Sequence, residues 1–213
     1  MLFFTALFAA YGPQGWWPAR SKFEVIVGAI LTQNTNWGNV ERAITNLREA
    51  GALTPGVMHG LPQDRLAELI RPAGYFNVKA RRLRNFLEHL SGNHAISGSS
   101  LTSFLKQDTG ALRAELLSIN GIGPETADSI LLYAANKAVF VVDAYTKRIL
   151  TRHGLIGEEA GYAEMQSLFM DGLEHDSILF NEYHALIVMA GKDYCKTKKP
   201  LCKECPLGSF LRS

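Results

Sequence analysis

Three cysteines are the residues of this chain whose spacing most directly suggests chemistry. Cys195, Cys202 and Cys205 are all the cysteines in 213 residues, and they follow the pattern C-x6-C-x2-C. Thiolates are soft ligands that suit zinc or an iron–sulfur cluster, and core packing explains such close grouping poorly. An odd number of cysteines in one segment also speaks against a secreted disulfide framework. The pattern therefore predicts a metal cluster or the remnant of one.

The stretch SINGIGPETADSI, residues 118–130, contains a second arrangement with chemical use. Gly121 and Gly123 lie between two segments with helical spacing, where a glycine costs about 1 kcal/mol relative to alanine. We expect both glycines to adopt backbone angles that other residues resist, with Pro124 at the first position of the following helix. Such a turn exposes backbone N–H groups that can bind an anion such as a DNA phosphate. Plain packing of two helices is the alternative interpretation.

A carboxylate, Asp143, ends the apolar run AVFVVD at 138–143 and precedes the helical segment AYTKRIL. Taken alone, an aspartate in this place predicts an ordinary helix N-cap. A fixed carboxylate can also stabilise the positive charge of an oxocarbenium-like transition state and can orient or deprotonate water. Both roles are open for Asp143.

Helices have to position these residues, because nearly every segment has helical spacing and strand alternation is nearly absent. FEVIVGAILTQ is apolar almost all round and predicts a central buried helix, while residues 138–143 predict an extended connector. The N-terminal MLFFTALFAAYG is too short to span a bilayer. It predicts a packed helix in a cytoplasmic protein without membrane contact. The sequence thus predicts an all-α protein.

Charge gives a weaker indication of the partner. The chain is 47% hydrophobic and 20% charged, with a formal net charge of +2, which is ordinary for a globular protein. Two basic clusters are either solvated surface or sites for an anionic partner. The first consists of Lys79, Arg81, Arg82 and Arg84, and the second of Lys192, Lys196, Lys198, Lys199, Lys203 and Arg212.

Four segments together resemble the endonuclease III superfamily of helix-hairpin-helix DNA glycosylases. In chain order they are VGAILTQNT, GYFNVKARRL, GIG followed by VVDAY, and CKTKKPLCKEC. WWP at 16–18, Trp37 and GIGPETAD are similar to the bacterial 3-methyladenine DNA glycosylase branch. The resemblance implies two helical domains. They are a barrel at 22–135 with the hairpin at about 112–135, and a second domain from 1–21 and 136–213 with the cysteine loop 195–205.

The resemblance also implies a mechanism. Asp143 matches the catalytic aspartate of the superfamily. Members that cleave the strand as well as the glycosidic bond carry a lysine two residues past the second turn glycine, where this chain has Glu125. A carboxylate cannot form an imine, so a monofunctional enzyme is expected. Glu125 itself is either a favourable charge in the first turn of a helix or part of a base pocket.

Further roles follow from the same resemblance. Trp16 and Trp37, with Trp17 as a third candidate, would form a pocket in which a cationic base stacks, although tryptophans in helical proteins usually fill core. Gln33 would fill the gap left by a flipped base, unless Gln33 and Asn34 merely cap a helix. The predicted DNA-binding residues are Gln33, Asn34, Gly121, Ile122, Gly123 and Thr126.

Family members bind a [4Fe–4S] cluster through this cysteine run and one more cysteine, whose slot here is Leu211. A longer natural chain, a non-cysteine ligand and loss of the metal are all open explanations.

The expected activity is removal of an alkylated purine such as 3-methyladenine from double-stranded DNA by a monomeric, nucleoid-associated enzyme. One alternative is an endonuclease III with lyase activity on oxidised pyrimidines, and another is a non-catalytic helix-hairpin-helix DNA-binding protein. The identity of the damaged base is what the sequence determines least.

Overall fold

The computed structural model of the protein describes residues 1–92 and 98–211. Arg212, the last member of the second basic cluster, lies outside them. The structure is 65% helical, and the described residues contain no strand. The prediction of an all-α protein is therefore confirmed. None of the helices in the described ranges has the length and apolar character needed to cross a membrane.

The chain divides into two units. One unit is formed by Ala19–Lys137 and the other by Met1–Pro18 with Ala138–Ser213. The first unit contains the helices α2 (Lys22–Leu31), α3 (Trp37–Glu49), α4 (Pro55–Gly60), α5 (Gln63–Leu69), α6 (Phe76–Ser91), α7 (Gly98–Lys106), α8 (Thr109–Ser118) and α9 (Pro124–Ser129). The second contains α1 (Leu2–Tyr11), α10 (Ala144–Arg152), α11 (Tyr162–Met170) and α12 (Ser177–Asp193).

The core of the Ala19–Lys137 unit is built around α2. Every residue from Phe23 to Leu31 is buried, as the nearly uniform apolar sequence predicts. The Ser21 hydroxyl accepts a hydrogen bond from the Glu24 amide and caps the helix N-terminus. Glu24 is itself buried, and the Arg48 guanidinium pairs with it at 2.8 Å. The buried helix thus provides a fixed base for the loop that follows Leu31.

A buried lysine holds the end of α2 in place. Lys79 on α6 is 1% exposed, and its Nζ donates hydrogen bonds to the carbonyls of Leu31 at 2.9 Å and Ala73 at 2.7 Å. Burial, and to a smaller extent the charge of Arg82, lower the pKa of Lys79 from 10.5 to about 8. This basic residue is therefore an internal brace and does not belong to a solvated surface.

The other unit packs its helices around the extended connector that precedes α10. Phe140 in the connector stacks on Phe169 of α11 with ring centroids 3.8 Å apart. Helices α10 and α12 approach very closely at Gly191. A Cβ atom at this position would lie only 2.4 Å from Cδ1 of Tyr145. Residues 138–143 belong to neither a helix nor a strand, so the predicted connector is confirmed. Asp143 lies at its junction with α10.

Candidate functional site

Asp143 occupies the N-cap of α10. Its Oδ1 accepts hydrogen bonds from the Thr146 amide at 2.7 Å and from the Thr146 hydroxyl at 2.8 Å. The N-cap interpretation is therefore correct. These bonds also fix the orientation of the Asp143 side chain, which is 14% exposed. A carboxylate held by one of its two oxygens is suited to chemistry at the other.

His184 on α12 is the neighbour of that second oxygen, and the sequence analysis did not identify it. Its Nε2 lies 3.8 Å from Oδ2 of Asp143, and its side chain is 8% exposed. Burial lowers the pKa of His184 below 6.5, while the charge of Asp143 raises it. Desolvation outweighs the neighbouring charge for so buried a ring, so the imidazole is neutral at pH 7. A neutral ring therefore brings no positive charge to the side of the Asp143 carboxylate.

The predicted pocket residues Trp16, Trp17 and Trp37 are all half-buried. Trp16 and Trp17 lie in the unit of Asp143, and their ring centroids are 5.6 Å apart. Trp37 begins α3 in the other unit.

The helix-hairpin-helix turn joins α8 and α9 in the Ala19–Lys137 unit. Gly121 has φ +97°, and a Cβ there would lie 2.3 Å from Cγ of Arg82. Gly123 has φ −94°, and nothing lies within 4 Å of its Cβ position. The expectation of special backbone angles is correct for Gly121 and wrong for Gly123, whose conformation is ordinary extended backbone. Pro124 begins α9 as predicted.

Gln33 connects the loop after α2 to this turn. Its Nε2 donates hydrogen bonds to the Gly121 carbonyl at 3.0 Å and to the Thr126 hydroxyl at 2.9 Å. Nη1 of Arg82 donates a hydrogen bond to Oε1 of Gln33. The structure therefore brings together three predicted DNA-binding residues and adds Arg82, which sequence reasoning placed only in a basic cluster.

The remaining predicted residues of this region differ in exposure. Asn34 is exposed and left-handed, with φ 54°. The side chain of Ile122 is 5% exposed, so only its backbone can be offered to a ligand. Glu125 is exposed in the first turn of α9, which agrees with the interpretation of its charge as favourable at a helix N-terminus.

An ion pair that the sequence did not indicate joins the two helices of the hairpin. Asp128 on α9 is completely buried, and Arg113 on α8 binds both of its oxygens, Nε to Oδ1 at 2.7 Å and Nη2 to Oδ2 at 3.1 Å. A bidentate pair fixes both distance and orientation. The ion pair therefore fixes α8 and α9 relative to each other on either side of the turn.

The three cysteines line one pocket in the unit of Asp143. Cys195 is buried, and Cys202 and Cys205 are half-buried. Nη1 of Arg152 donates a hydrogen bond to Sγ of Cys195 at 2.6 Å. Burial raises the pKa of the Cys205 thiol, mainly because the thiolate would be poorly solvated.

The residues around the cysteines indicate what kind of metal group fits. Leu211 and His153 line the same pocket, and Nδ1 of His153 is buried without a hydrogen-bond partner among the described residues. In those same ranges, no three His, Cys, Asp or Glu side chains are arranged to hold a single metal ion. Three thiolates with a histidine beside them are donors of the kind that iron–sulfur clusters and zinc accept.

Comparisons with known proteins agree with this geometry. A family model described as HhH-GPD superfamily base excision DNA repair protein matches residues 27–175. A protein of Methanocaldococcus jannaschii assigned as a DNA repair glycosylase is 51% identical over 203 residues, which are 95% of this chain and 91% of the relative.

Two solved structures are similar to the chain. The H. pylori 3-methyladenine DNA glycosylase bound to 1,N6-ethenoadenine has a TM-score of 0.75 at 31% identity, and the match covers 89% of this chain and 97% of that one. A non-covalent endonuclease III–DNA complex has a TM-score of 0.80 at 21% identity, covering 98% and 92%, which is a likeness of fold. The predicted superfamily is confirmed. The chain belongs to the HhH-GPD superfamily of base excision DNA repair proteins, as a DNA glycosylase.

Proposed function

We propose that this DNA glycosylase is monofunctional and removes an alkylated purine such as 3-methyladenine from double-stranded DNA. The observation that carries the proposal is Glu125, an exposed carboxylate in the first turn of α9. It stands at the position where strand-cleaving members carry the lysine that forms a Schiff base. Because a carboxylate cannot form that intermediate, water is left as the nucleophile and an abasic site as the product.

In this proposal the turn at Gly121–Gly123 binds the DNA backbone. Gly123 is exposed at the N-terminus of α9, where backbone N–H groups and the helix dipole favour a phosphate. Gln33 and Arg82 support the turn from the side, and the Arg82 guanidinium adds positive charge nearby. This contact positions the duplex and carries no base specificity.

Asp143 is the proposed catalytic residue. With Oδ1 held by Thr146, its negative charge stabilises the cation that develops at the anomeric carbon as the base departs. Water then adds to that carbon, and its proton passes to the carboxylate or to solvent. A neutral His184 suits this role, because a protonated imidazole 3.8 Å from the carboxylate would oppose its attraction for the developing cation.

A cationic base suits this machinery. Alkylation at N3 or N7 puts positive charge on the purine ring, so the base leaves without strong acid catalysis and chiefly has to be flipped out and held. The half-buried Trp16, Trp17 and Trp37 offer electron-rich faces, and cation–π attraction contributes about 0.5–2 kcal/mol. The likeness to a glycosylase that binds an ethenoadenine supports a purine substrate.

The proposal includes a [4Fe–4S] cluster at Cys195, Cys202 and Cys205. When bound, such a cluster cross-links its ligands and can carry one electron. Here the ligands would join the end of α12 to the C-terminal loop, and the bond from Arg152 to Cys195 would tie α10 to the same point. The interspersed Lys196, Lys198 and Lys199 are exposed and suit contacts with phosphate.

The test uses duplexes that carry 3-methyladenine, 7-methylguanine, thymine glycol or uracil, with base release scored separately from strand nicking. We expect release of the methylated purines, no nicking, and no covalent adduct after borohydride treatment. A trapped adduct with thymine glycol would support the endonuclease III alternative instead.

The variant Asp143→Asn tests the catalytic residue without removing the cap, because asparagine caps helices about as well as aspartate. We expect base release to fall by at least about 100-fold with unchanged thermal unfolding. Asp176→Asn is the matched control, since Asp176 caps α12 through its Oδ1. Release by the wild type that is unchanged in Asp143→Asn would remove the catalytic role of Asp143, and wild-type release no faster than in the absence of protein would favour the non-catalytic DNA-binding alternative.

A further inference from the structure

The cysteine pocket lacks a fourth thiolate, and the residue in that slot cannot replace it. Leu211 lines the pocket together with the three cysteines, but its side chain has no lone pair to donate. Under the proposed function, a cluster held only by Cys195, Cys202 and Cys205 would have one iron without a protein ligand. A fourth protein ligand would therefore have to come from another residue of the pocket lining.

Two other residues of the pocket lining carry an atom that could bind iron, His153 and Tyr194. His153 is 6% exposed, and its Nδ1 is buried without a hydrogen-bond partner among the described residues. Such an atom costs about 1–3 kcal/mol unless something binds it. Tyr194 shows no such unsatisfied atom.

The other nitrogen of the His153 ring has a different role. The Phe210 carbonyl accepts a hydrogen bond from the imidazole, and because Nδ1 has no such partner the bond belongs to Nε2. A proton held on Nε2 leaves the lone pair on Nδ1. Histidine ligands of metals are commonly oriented in this way, with the second ring nitrogen donating to a backbone carbonyl.

We propose that Nδ1 of His153 is the fourth protein ligand of a [4Fe–4S] cluster bound by Cys195, Cys202 and Cys205. This assignment rests on the cluster of the proposed function. His153 is the C-cap of α10, the helix that Asp143 caps at its other end. The cluster would thus bind directly to the helix that carries the proposed catalytic carboxylate.

Spectroscopy of the whole protein tests the assignment without DNA. The chain is reconstituted anaerobically with ferrous iron and sulfide, reduced, and examined by pulsed electron paramagnetic resonance. We expect a strongly coupled nitrogen whose signal changes when the histidines are labelled with ¹⁵N. The reduction potential should lie above that of an all-cysteine cluster, because imidazole brings no negative charge.

Two variants separate ligation from packing. His153→Ala should lose the nitrogen coupling and one iron, leaving a three-iron cluster. His153→Cys should keep all four irons, lose the coupling and lower the potential. A cysteine suits the site because Sγ lies one bond nearer the backbone than Nδ1, while iron–sulfur bonds are longer than iron–nitrogen bonds. His175→Ala is the control, since His175 is exposed and outside the pocket.

Each result has a separate meaning. Wild-type protein that binds no iron would overturn the cluster and this assignment, while base release would still decide whether the enzyme is a glycosylase. A cluster without nitrogen coupling would overturn only the His153 assignment. If Tyr194→Phe loses one iron while His153→Ala keeps an intact cluster, the fourth ligand is Tyr194 and not His153. If His153→Ala fails to fold, the ¹⁵N coupling of the wild type decides the question.

Discussion

The turn around Gly121 and the pocket around Cys195 differ in how their polar groups are satisfied. At the turn, Gln33 bonds the Gly121 carbonyl and the Thr126 hydroxyl, and receives a bond from Arg82. In the pocket, a buried nitrogen of His153 has no partner among the described residues. The polar side chains that support the turn are paired with protein groups, whereas the pocket holds a buried nitrogen for which the proposed cluster would supply a partner. Buried polar atoms without partners are costly, so the second region is where a ligand would contribute most to stability.

The largest expected effect is the dependence of the pocket on iron. Cluster loading should slow hydrogen exchange of the Cys195, Leu201 and Gly208 amides by about a thousandfold, equivalent to about 4 kcal/mol. These amides all bond within the loop and the end of α12. The Ile122 amide, which bonds to the Ile119 carbonyl in the turn, should exchange at the same rate with and without iron. If iron slowed hydrogen exchange equally in the pocket and in the turn, the proposed difference between the two regions would be wrong.

The turn should instead depend on its own side chains, with Arg113→Met as the most damaging change. It leaves the completely buried carboxylate of Asp128 without this partner, which should lower the free energy of unfolding by about 3 kcal/mol in urea titrations. Arg65→Met is the matched control, because Arg65 pairs with Glu68 on an exposed face and its loss should cost well under 1 kcal/mol. A small effect of Arg113→Met would show that the turn does not need this support.

A somewhat smaller effect is expected for Gly121→Ala. The added Cβ would meet Cγ of Arg82 at 2.3 Å in a left-handed conformation, and the change should cost about 2.5 kcal/mol and weaken duplex binding. Gly123→Ala has an ordinary φ and open space, so stability should hardly change. Urea midpoints and fluorescence anisotropy with a short duplex measure the two effects. Equal destabilisation by both variants would contradict the asymmetry between the glycines.

The smallest predicted effect is a pH dependence set by Lys79. Burial lowers its folded-state pKa from 10.5 to about 8, so between those pH values the unfolded chain holds a proton that the folded chain does not. Stability therefore rises with pH across that window. The unfolding free energy of the wild type minus that of Lys79→Met should increase by about 2 kcal/mol from pH 8 to 10.5.

Lys22→Met is the matched variant, because Lys22 is an exposed lysine of the same unit. A difference between wild type and Lys79→Met that falls over this window would mean that the two carbonyl bonds hold Lys79 charged in the folded protein.

Local features of the fold could be predicted because they depend on residues near one another in the sequence. The buried α2 follows from an uninterrupted apolar run, and Pro124 begins α9 because its ring suits a first helical position. The N-cap role of Asp143 needs only Thr146, three residues later. The backbone angles of Gly123 could not be predicted in this way, because its neighbours in the sequence do not reveal that these angles are ordinary.

Pairings between distant residues could not be predicted. Arg82 meets Gln33, Arg113 meets Asp128, and His184 meets Asp143, and in each case tertiary packing decides which polar group finds which partner. A lone histidine in the apolar stretch YHALIV was a signal that could have drawn attention to His184, because a buried imidazole needs a polar neighbour. His153 has no comparable mark in the sequence.

Gly191 has no Cβ atom, and this absence determines how closely Asp143 and His184 can approach each other. Gly191 and His184 are seven residues apart on α12, so they lie two turns apart on the same face. Tyr145, whose ring fills the space where a methyl group would be, is two residues from Asp143. A larger residue at 191 would wedge the two helices apart, and the carboxylate would lose its imidazole neighbour without any change to either group.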